Sequence, residues 1–140
     1  MKHLTFSLIV LCAGLVTACD KSAVPYTEAR NYFVRNDVSQ VPEVITTEAD
    51  FMKYFGMATT MGLDGKPTEI DWDKQFVIAA VLPETSVQTE IKPVKLKSEG
   101  DHLVFTYMVR EGETMSYTSR PSLIVIVEGD GSTPVILVRK

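Results

Sequence analysis

Most of the chain beyond residue 75 follows one of two hydrophobic patterns, and both predict β-strands. In the first pattern apolar and polar residues alternate, which buries one face of a strand and leaves the other in water. In the second nearly every residue is apolar, as expected for a strand that is buried on both faces. The two patterns predict strands over residues 76–83, 87–98, 102–110, 115–119, 122–128 and 134–140, the first and fifth being buried on both faces.

Short polar segments rich in Gly, Asp and Glu separate these strands and predict the turns between them. Residues 99–101 and 111–114 are predicted as hairpin turns, and residues 129–133 as a last hairpin loop. Pro93 cannot donate a ladder hydrogen bond, so it predicts a bulge or an edge position in its strand. The strands are therefore expected to follow one another as a meander.

Residues 46–56 carry the one clear helical pattern of the chain. Their aromatic residues recur at spacings of three and four, which places them on one face of a helix. These residues are Phe51, Tyr54 and Phe55. Thr47 can cap the first turn, with Asp50 three residues later, and Gly56 suits the left-handed residue that ends a helix.

The order of these elements predicts the fold class. Before the helix, residues 31–38 have an aromatic and β-branched composition, and we expect an edge strand there. After the helix, residues 57–75 form the longest irregular segment, and long loops in compact domains are often functional. One early helix followed by strands predicts an α+β domain, with a mainly antiparallel β-sheet or a partly closed barrel and one α-helix covering a face.

The start of the chain has the pattern of an export signal. Lys2 is followed by the apolar residues 4–16, a stretch of signal-peptide length that is too short to span a bilayer comfortably. The motif "VTAC", which ends at Cys19, resembles the cleavage box of bacterial lipoproteins. This resemblance implies that Cys19 is lipidated and that residues 1–18 are removed. An uncleaved anchor helix, or an ordinary signal with a coincidental cysteine, is the alternative.

The resemblance to the cleavage box also predicts the organisation of the chain. It divides the protein into a signal peptide (1–18), a lipidated cysteine with a tether (19–30) and a single α+β domain (31–140). Two or more acyl chains give stable anchoring, so the lipid is expected to hold the protein on a membrane. We expect a membrane lipoprotein of the bacterial cell envelope, at the outer membrane, on its periplasmic side or at the surface. Asp20 favours the inner membrane under the enterobacterial rule, which is the alternative.

Cysteine use and net charge exclude several classes of function. Of the two cysteines, Cys12 leaves with the signal and Cys19 carries the lipid, so the mature protein has no free thiol and no disulfide. A thiol nucleophile, a zinc–thiolate site and a redox pair are therefore excluded. Removing Lys2 from the 14 basic side chains leaves 13 against 18 acidic ones, a net charge of −5. Without a basic cluster, nucleic acid is not expected as a partner.

Few residues of the mature chain suggest catalysis. His102 is its single histidine and directly follows a predicted turn, where a side chain is usually solvated. No Gly-x-Ser-x-Gly motif accompanies it, and one histidine is too few for the common zinc sites. We therefore expect no catalytic residue, no metal, no cofactor and no enzymatic activity.

Two pairs of carboxylates could contribute oxygen ligands to calcium, but both lack the spacing of an EF-hand loop. Asp71 and Asp73 flank Trp72, and we interpret them as caps of a turn that leads into the first fully buried strand while Trp72 anchors it in the core. Glu128 and Asp130 lie at the predicted hairpin loop, where Gly and Asp allow a positive φ. Structural roles are therefore favoured for both pairs.

The candidate interface consists of Met57, Met61, Leu63 and Trp72. All four lie in the irregular segment after the helix. Methionines are flexible and polarisable, so they fill gaps in a core or form adaptable contact surfaces. Copper binding through thioether sulfurs is the alternative, because exported copper proteins use such ligands.

Three segments resemble a known family of exported domains. They are "ADFMKYF" (49–55), "EIDWDKQFVIAAV" (69–81) and "RPSLIVIV" (120–127). They are similar to the C-terminal domain of the protease complex subunit PrcB family, over about residues 44–138, although "PETSVQTEI" (83–91) stands in place of the family's glycine-glycine-tyrosine turn. The whole chain also resembles small uncharacterised lipoproteins of the Bacteroidales. These resemblances imply an accessory or binding role near exported proteases and bring no catalytic residues.

Taken with the anchor and the lack of a catalytic motif, these features predict a lipid-anchored envelope lipoprotein. We expect it to act as a non-enzymatic protein-binding or accessory module. Its lipid is expected to contact the membrane, and its domain is expected to bind a protein partner. The alternative is a small-ligand or metal carrier that uses residues 57–75 and a pocket under the helix.

Overall fold

The computed structural model describes residues 21–59, 61–62 and 65–140. The predicted signal peptide, Cys19 and Leu63 lie outside these residues. The described chain forms one helix, α1 (Glu48–Tyr54), and the strands β1 (Tyr26–Glu28), β2 (Tyr32–Val34), β3 (Val44–Ile45), β4 (Phe55–Met57), β5 (Gln75–Val81), β6 (Thr85–Glu99), β7 (His102–Ser119), β8 (Ser122–Glu128) and β9 (Val135–Arg139). None of these elements is a helix long and apolar enough to cross a membrane.

Strands β5 and β8 form the centre of the fold. They pair antiparallel from Gln75↔Glu128 to Val81↔Ser122, and β1 and β3 flank them in the order β1-β8-β5-β3. All the residues between these terminal pairs are buried in both strands. The prediction that these two apolar runs are strands buried on both faces is therefore confirmed.

The central sheet separates two hydrophobic cores because successive residues of a strand point to opposite faces. We call them the hairpin-side core and the helix-side core. The hairpin-side core consists of Phe76, Ile78, Ala80, Leu96, Leu103, Phe105, Leu123, Val125 and Val127. The helix-side core consists of Val34, Ile45, Phe51, Phe55, Val77, Ala79, Ile124 and Ile126.

A second sheet, in the order β6-β7-β9, covers the hairpin-side core. Strand β6 is an edge of this sheet and shifts register between Pro93 and Lys95, which confirms the bulge and edge position predicted from Pro93. The predicted turn at 111–114 is wrong, because these residues continue β7, with Thr89 paired to Glu111 and Val87 to Thr114. The long ladder with β6 overrides the local turn composition, and bulges absorb the extra residues.

The predicted hairpin loop at 129–133 does not form a hairpin. Strand β9 pairs with β7 in parallel, from Leu103↔Val135 to Tyr107↔Arg139, and makes no pair with β8. Both edges of β8 are already occupied by β1 and β5, so the chain has to cross to the other sheet. Gly129 and Gly131 have positive φ values in this crossing loop.

Residues 22–28, which the sequence assigns to the tether, pair with strands of both sheets. The N–H of Val24 donates to the carbonyl of Leu96, and the N–H of Ser98 donates to the carbonyl of Ser22, so this segment extends the β6 edge. Strand β1 then pairs with β8, and Pro25 lies between the two pairings. Residues 22–28 therefore belong to the folded domain.

The coarse fold class is confirmed. The described residues are mostly β with one helix, and their sheets are rich in antiparallel pairs. The barrel alternative is wrong, because none of the sheets closes into a barrel. The predicted strand at 31–38 is reduced to β2, which pairs with β4 beside the helix.

The start of α1 agrees with the sequence and its end does not. The N–H of Asp50 donates to Thr47 Oγ1 at 3.2 Å, so the predicted N-cap is confirmed. Gly56 does not end the helix, since Phe55 is already extended and Gly56 pairs with Phe33 in the β2–β4 ladder. A Cβ on Gly56 would lie 2.4 Å from the Phe33 ring, so the glycine permits a close approach.

Candidate binding cleft

A cleft of about 440 Å³ opens on the helix side of the molecule. It lies between the start of α1, the adjoining ends of β2 and β4, and residues 66–72, and we call it the helix cleft. Side chains that bound it include Tyr32, Glu48, Phe51, Met57, Glu69 and Trp72. Most of the side chains around it are apolar, with charged groups among them.

Aromatic rings form the floor of the helix cleft. The Phe51 side chain is only 2% exposed, and its ring stacks on the ring of Phe55 at 4.9 Å. Tyr32 meets Phe51 edge-on at 5.0 Å, and Trp72 meets it at 5.3 Å. The cleft therefore rests directly on the helix-side core, and Tyr32 and Trp72 are its half-buried aromatic walls.

Asn31 connects two walls of the cleft. Its φ of 64° is the one positive value among the described residues other than glycine. Asparagine tolerates this left-handed conformation better than most residues. The Asn31 side chain donates to the carbonyl of Lys66 at 2.8 Å, and its own carbonyl accepts from the N–H of Ala58 at 2.8 Å. A single residue thus fixes residues 66–68 against the end of β4.

Further hydrogen bonds attach the same loop to the start of β2. Thr68 and Arg30 exchange two bonds, from Arg30 N–H to Thr68 Oγ1 at 2.9 Å and from Thr68 N–H to the Arg30 carbonyl at 3.1 Å. The Tyr32 hydroxyl donates to the Thr68 carbonyl at 2.6 Å. This wall of the cleft is therefore preorganised, which lowers the entropy cost of binding.

The electrostatics of the cleft are acidic around Tyr32. Burial raises the pKa of the Tyr32 phenol above its ordinary value, and the nearby carboxylates of Glu48 and Glu69 raise it further. Among the described residues that bound the cleft, Lys66 is the one basic residue. Glu48 begins α1 and Glu69 lies on the facing loop, so two separate elements bring negative charge to the same ring.

The structure brings together two of the four predicted interface residues. Met57 and Trp72 both bound the helix cleft, and the Met57 side chain is 54% exposed. Met61 is fully exposed at 105% and lies outside the cleft lining, while Leu63 is not among the described residues. Tyr32, Glu48 and Glu69 were missed, because only the β2–β4 pairing and the fold of residues 66–72 bring Tyr32 and Glu69 to the helix that carries Glu48.

Three of the four carboxylates considered as calcium ligands accept hydrogen bonds from the protein itself: Asp71, Glu128 and Asp130. Asp71 Oδ1 accepts from the N–H of Asp73 at 3.2 Å, and its carbonyl accepts from the N–H of Gln75 at 2.7 Å, which confirms the predicted turn into β5. Asp130 Oδ1 accepts from the N–H of Ser132 at 2.9 Å, and hydrogen bonding by the Ser132 side chain and by this N–H lowers the pKa of Asp130. Over residues 21–59, 61–62 and 65–140, no group of three or more His, Cys, Asp or Glu side chains could hold a metal ion.

His102 lies where the sequence predicts, directly after the turn between β6 and β7. Its Nδ1 is 3.1 Å from Asp101 Oδ1, and its Nε2 is 3.9 Å from Glu99 Oε2. The contact with His102 lowers the pKa of the exposed Asp101 carboxyl. Both contacts therefore join His102 to carboxylates at the turn between β6 and β7. This turn lies on the other side of the central sheet from the helix cleft.

A second, larger cleft of about 780 Å³ lies beside β2, and we call it the arginine groove after Arg35 and Arg120. Arg35 Nε donates to the Met52 carbonyl at 2.8 Å. Arg120 donates to the carbonyls of Val38 and Ser39, the latter at 2.7 Å. Both guanidinium groups hold neighbouring segments of backbone in place, so they are better explained as structural supports than as ligand-binding groups.

No family model matches this chain, and neither curated proteins nor solved structures give a significant match. A candidate function therefore has to come from the residues of the site. Of the two clefts, the helix cleft joins an apolar floor, a fixed wall and exposed apolar atoms, which are the features of a binding site.

Proposed function

We propose that the protein is a lipid-anchored envelope lipoprotein that binds a protein partner through the helix cleft and catalyses no reaction. The observation that carries the proposal is the cleft itself, because its aromatic floor continues to the exposed Met57 at the surface. Met61 adds a fully exposed apolar side chain four residues further along the chain. Aromatic residues and methionine are enriched at protein interfaces, and a flexible thioether adapts to the shape of a partner.

The lipid at Cys19 would hold this domain close to the bilayer. The chain joins the β6 edge at Ser22, only three residues after Cys19. Three extended residues reach about 10 Å, so little tether would separate the sheet from the lipid. We place the protein at the outer membrane, on its periplasmic side or at the surface, and the PrcB resemblance suggests a partner associated with an exported protease.

Lipidation is tested by mass spectrometry of the mature N-terminus. We expect a terminal Cys19 that carries acyl chains, and we expect Cys19→Ala to release the protein from the membrane fraction. An unmodified Cys19 in the mature protein would contradict the anchor and would leave the cleft proposal to be judged by binding alone.

Partner binding is tested by crosslinking and pull-down from detergent-solubilised envelopes of the native host. The wild-type protein should recover a partner that Met57→Lys loses, because a charge at this rim cannot be desolvated cheaply. Ile136→Lys is the matched control, since Ile136 is similarly exposed at 49% but lies on β9, in the sheet on the other side of the central strands. Equal recovery by Met57→Lys and wild type would contradict the proposed site.

A small-ligand carrier is the second candidate, because the volume of the helix cleft lies within the range of ligand pockets, roughly 300–1,000 Å³. A thermal-shift screen of small molecules separates the two candidates. A ligand that binds only the folded state raises the Tm. A compound that raises the Tm of wild type and not of Met57→Lys would favour the carrier.

A further inference from the structure

We infer that the helix cleft binds a basic side chain, arginine or lysine, presented by an exposed segment of the protein partner. This inference rests on the proposed function and adds the chemistry of the partner. It depends on three features that bound the same cleft: two carboxylates from separate elements, aromatic rings, and methionine side chains.

The two carboxylates supply the charge. Glu48 at the start of α1 and Glu69 on the facing loop bound the same cleft as the Tyr32 ring. Within the described residues, neither carboxylate forms a salt bridge. Lys66 offsets part of this charge, and the groups around the cleft still include two acids against one base.

The rings and thioethers supply the remaining contacts that a basic side chain needs. A guanidinium or ammonium group is attracted to the face of an aromatic ring, most strongly to tryptophan and tyrosine. The rings of Tyr32 and Trp72 both bound the cleft, and each contacts the ring of Phe51. The long aliphatic stem of arginine or lysine buries its methylene groups while the charged end stays polar, and Met52 and Met57 offer apolar surface for that stem.

Other occupants fit these groups less well. A purely apolar side chain would remove water from the Glu48 and Glu69 carboxylates without supplying a partner, which is costly. An acidic side chain would be repelled by both. A basic side chain satisfies the carboxylates and still fills the apolar part of the cleft. The whole chain has 18 acidic against 14 basic residues, so its net negative charge also attracts a basic partner at long range.

The single tryptophan of the chain makes the test specific, because Trp72 lies in the cleft and its fluorescence reports on it directly. The protein is expressed as the full-length chain, purified in mild detergent and titrated with capped peptides of sequence Ala-Ser-X-Ser-Ala. X is arginine in one peptide and its neutral isostere citrulline in the other, with lysine and norleucine as a second pair. We expect the charged member of each pair to bind about tenfold more tightly at low salt.

Variants then assign the preference to the two carboxylates. Glu48→Gln combined with Glu69→Gln should reduce the arginine-to-citrulline ratio to about one while citrulline binding persists. Glu113→Gln is the matched control, because Glu113 is an exposed carboxylate on β7, in the other sheet. It should retain the full ratio.

The outcomes separate this inference from the proposed function. Equal binding of arginine and citrulline peptides, or a preference that the double variant retains, would overturn the inference and leave an apolar protein-binding cleft. The inference would also be overturned if free arginine amide bound as tightly as the arginine peptide. The cleft would then recognise a small cation and not a side chain presented by a protein. No response of Trp72 to any peptide would overturn it too. The pull-down with Met57→Lys would then decide the proposed function separately.

Discussion

Beneath the β6–β7 hairpin, the central strands β5 and β8 pack against long strands that follow one another directly in the chain, and we call this face closed because those strands cover its core. A cleft of about 640 Å³ lies at its edge, between residues 28–31 and 90–93. On the other face, β5 and β8 pack against a seven-residue helix and the three-residue strands β2 and β4. These short elements cannot cover the face completely, and the helix cleft opens where they meet. The closed face is expected to supply stability, while the open face is expected to supply binding.

The two faces also differ in what holds them. The hairpin side depends on a continuous ladder of backbone hydrogen bonds, whose bulges leave the pairing otherwise intact. The helix side depends on individual residues: Asn31 and Thr68 link loop to strand, and Gly56 lets the Phe33 ring lie against the backbone. Substitutions in the hairpin-side core should therefore have large effects on global stability. Substitutions of the single residues that attach loops and strands on the helix side should have smaller, local effects.

The largest effect is expected for Phe105→Ala. The Phe105 side chain is completely buried in the hairpin-side core, and its ring contacts those of Tyr26 and Tyr107. Removing a buried phenylalanine costs about 3–5 kcal/mol in the free energy of unfolding. Urea denaturation followed by circular dichroism measures this loss. The matched control is Phe33→Ala, which removes a ring that is 47% exposed and should cost less than about 1 kcal/mol. Equal losses would mean that a ring buried in the hairpin-side core adds no more stability than an exposed one.

An intermediate effect is expected at Asn31. Both Asn31→Ala and Asn31→Gly lose the hydrogen bond to the Lys66 carbonyl, but only glycine adopts the positive φ without steric cost. Asn31→Ala should therefore be less stable than Asn31→Gly by about 1 kcal/mol. Urea denaturation of the two variants gives the difference, and Trp72 fluorescence shows whether the cleft changes in both. Equal stabilities would mean that the backbone at this position relaxes without cost.

A somewhat smaller effect is expected at Gly56. A methyl group here would meet the Phe33 ring at 2.4 Å, and because that ring is partly exposed it can move away. Gly56→Ala should thus cost about 1 kcal/mol in wild type. In a Phe33→Ala background the clash is absent, so the same change should be neutral or stabilising. A double-mutant cycle measured by urea denaturation tests this coupling, which additive effects would contradict.

Local sequence patterns predicted the elements whose structure is decided locally. The apolar runs of β5 and β8 determine burial on both faces, Thr47 caps the first turn of α1, and Pro93 marks a bulge. Each of these outcomes depends on residues within a few positions along the chain. For that reason periodicity and capping chemistry were sufficient to predict them.

Long-range pairing decided the features that the sequence did not predict. The turn at 111–114 became strand because β6 offers partners along its length, and the crossing loop at 129–133 formed because β8 has no free edge. For the cleft, composition indicated Met57 and Trp72, but the meeting of Tyr32 with Phe51 depends on the β2–β4 pairing. Two-residue and three-residue strands carry too little pattern to predict such pairings.

The smallest effect is expected in the alkaline titration of Tyr32, and it tests the acidic character of the open face. Burial, Glu48 and Glu69 raise the pKa of this phenol above its ordinary value of 10.0, so the unfolded chain loses the proton first. The stability that Tyr32 contributes is then fully present below pH 10 and is lost as the pH rises through the folded pKa. Ultraviolet absorbance of tyrosinate during a pH titration should show a late component that Tyr32→Phe removes.

The two carboxylates can be tested in the same titration. Glu48→Gln combined with Glu69→Gln should move the late component toward lower pH, because two of the three causes of the raised pKa are removed while burial remains. Tyr117→Phe is the control, since it removes an exposed tyrosine from β7 and should leave the late component in place. A late component that the double variant does not move would mean that burial alone raises the pKa, and the open face would then lack the acidic character that distinguishes it from the closed one.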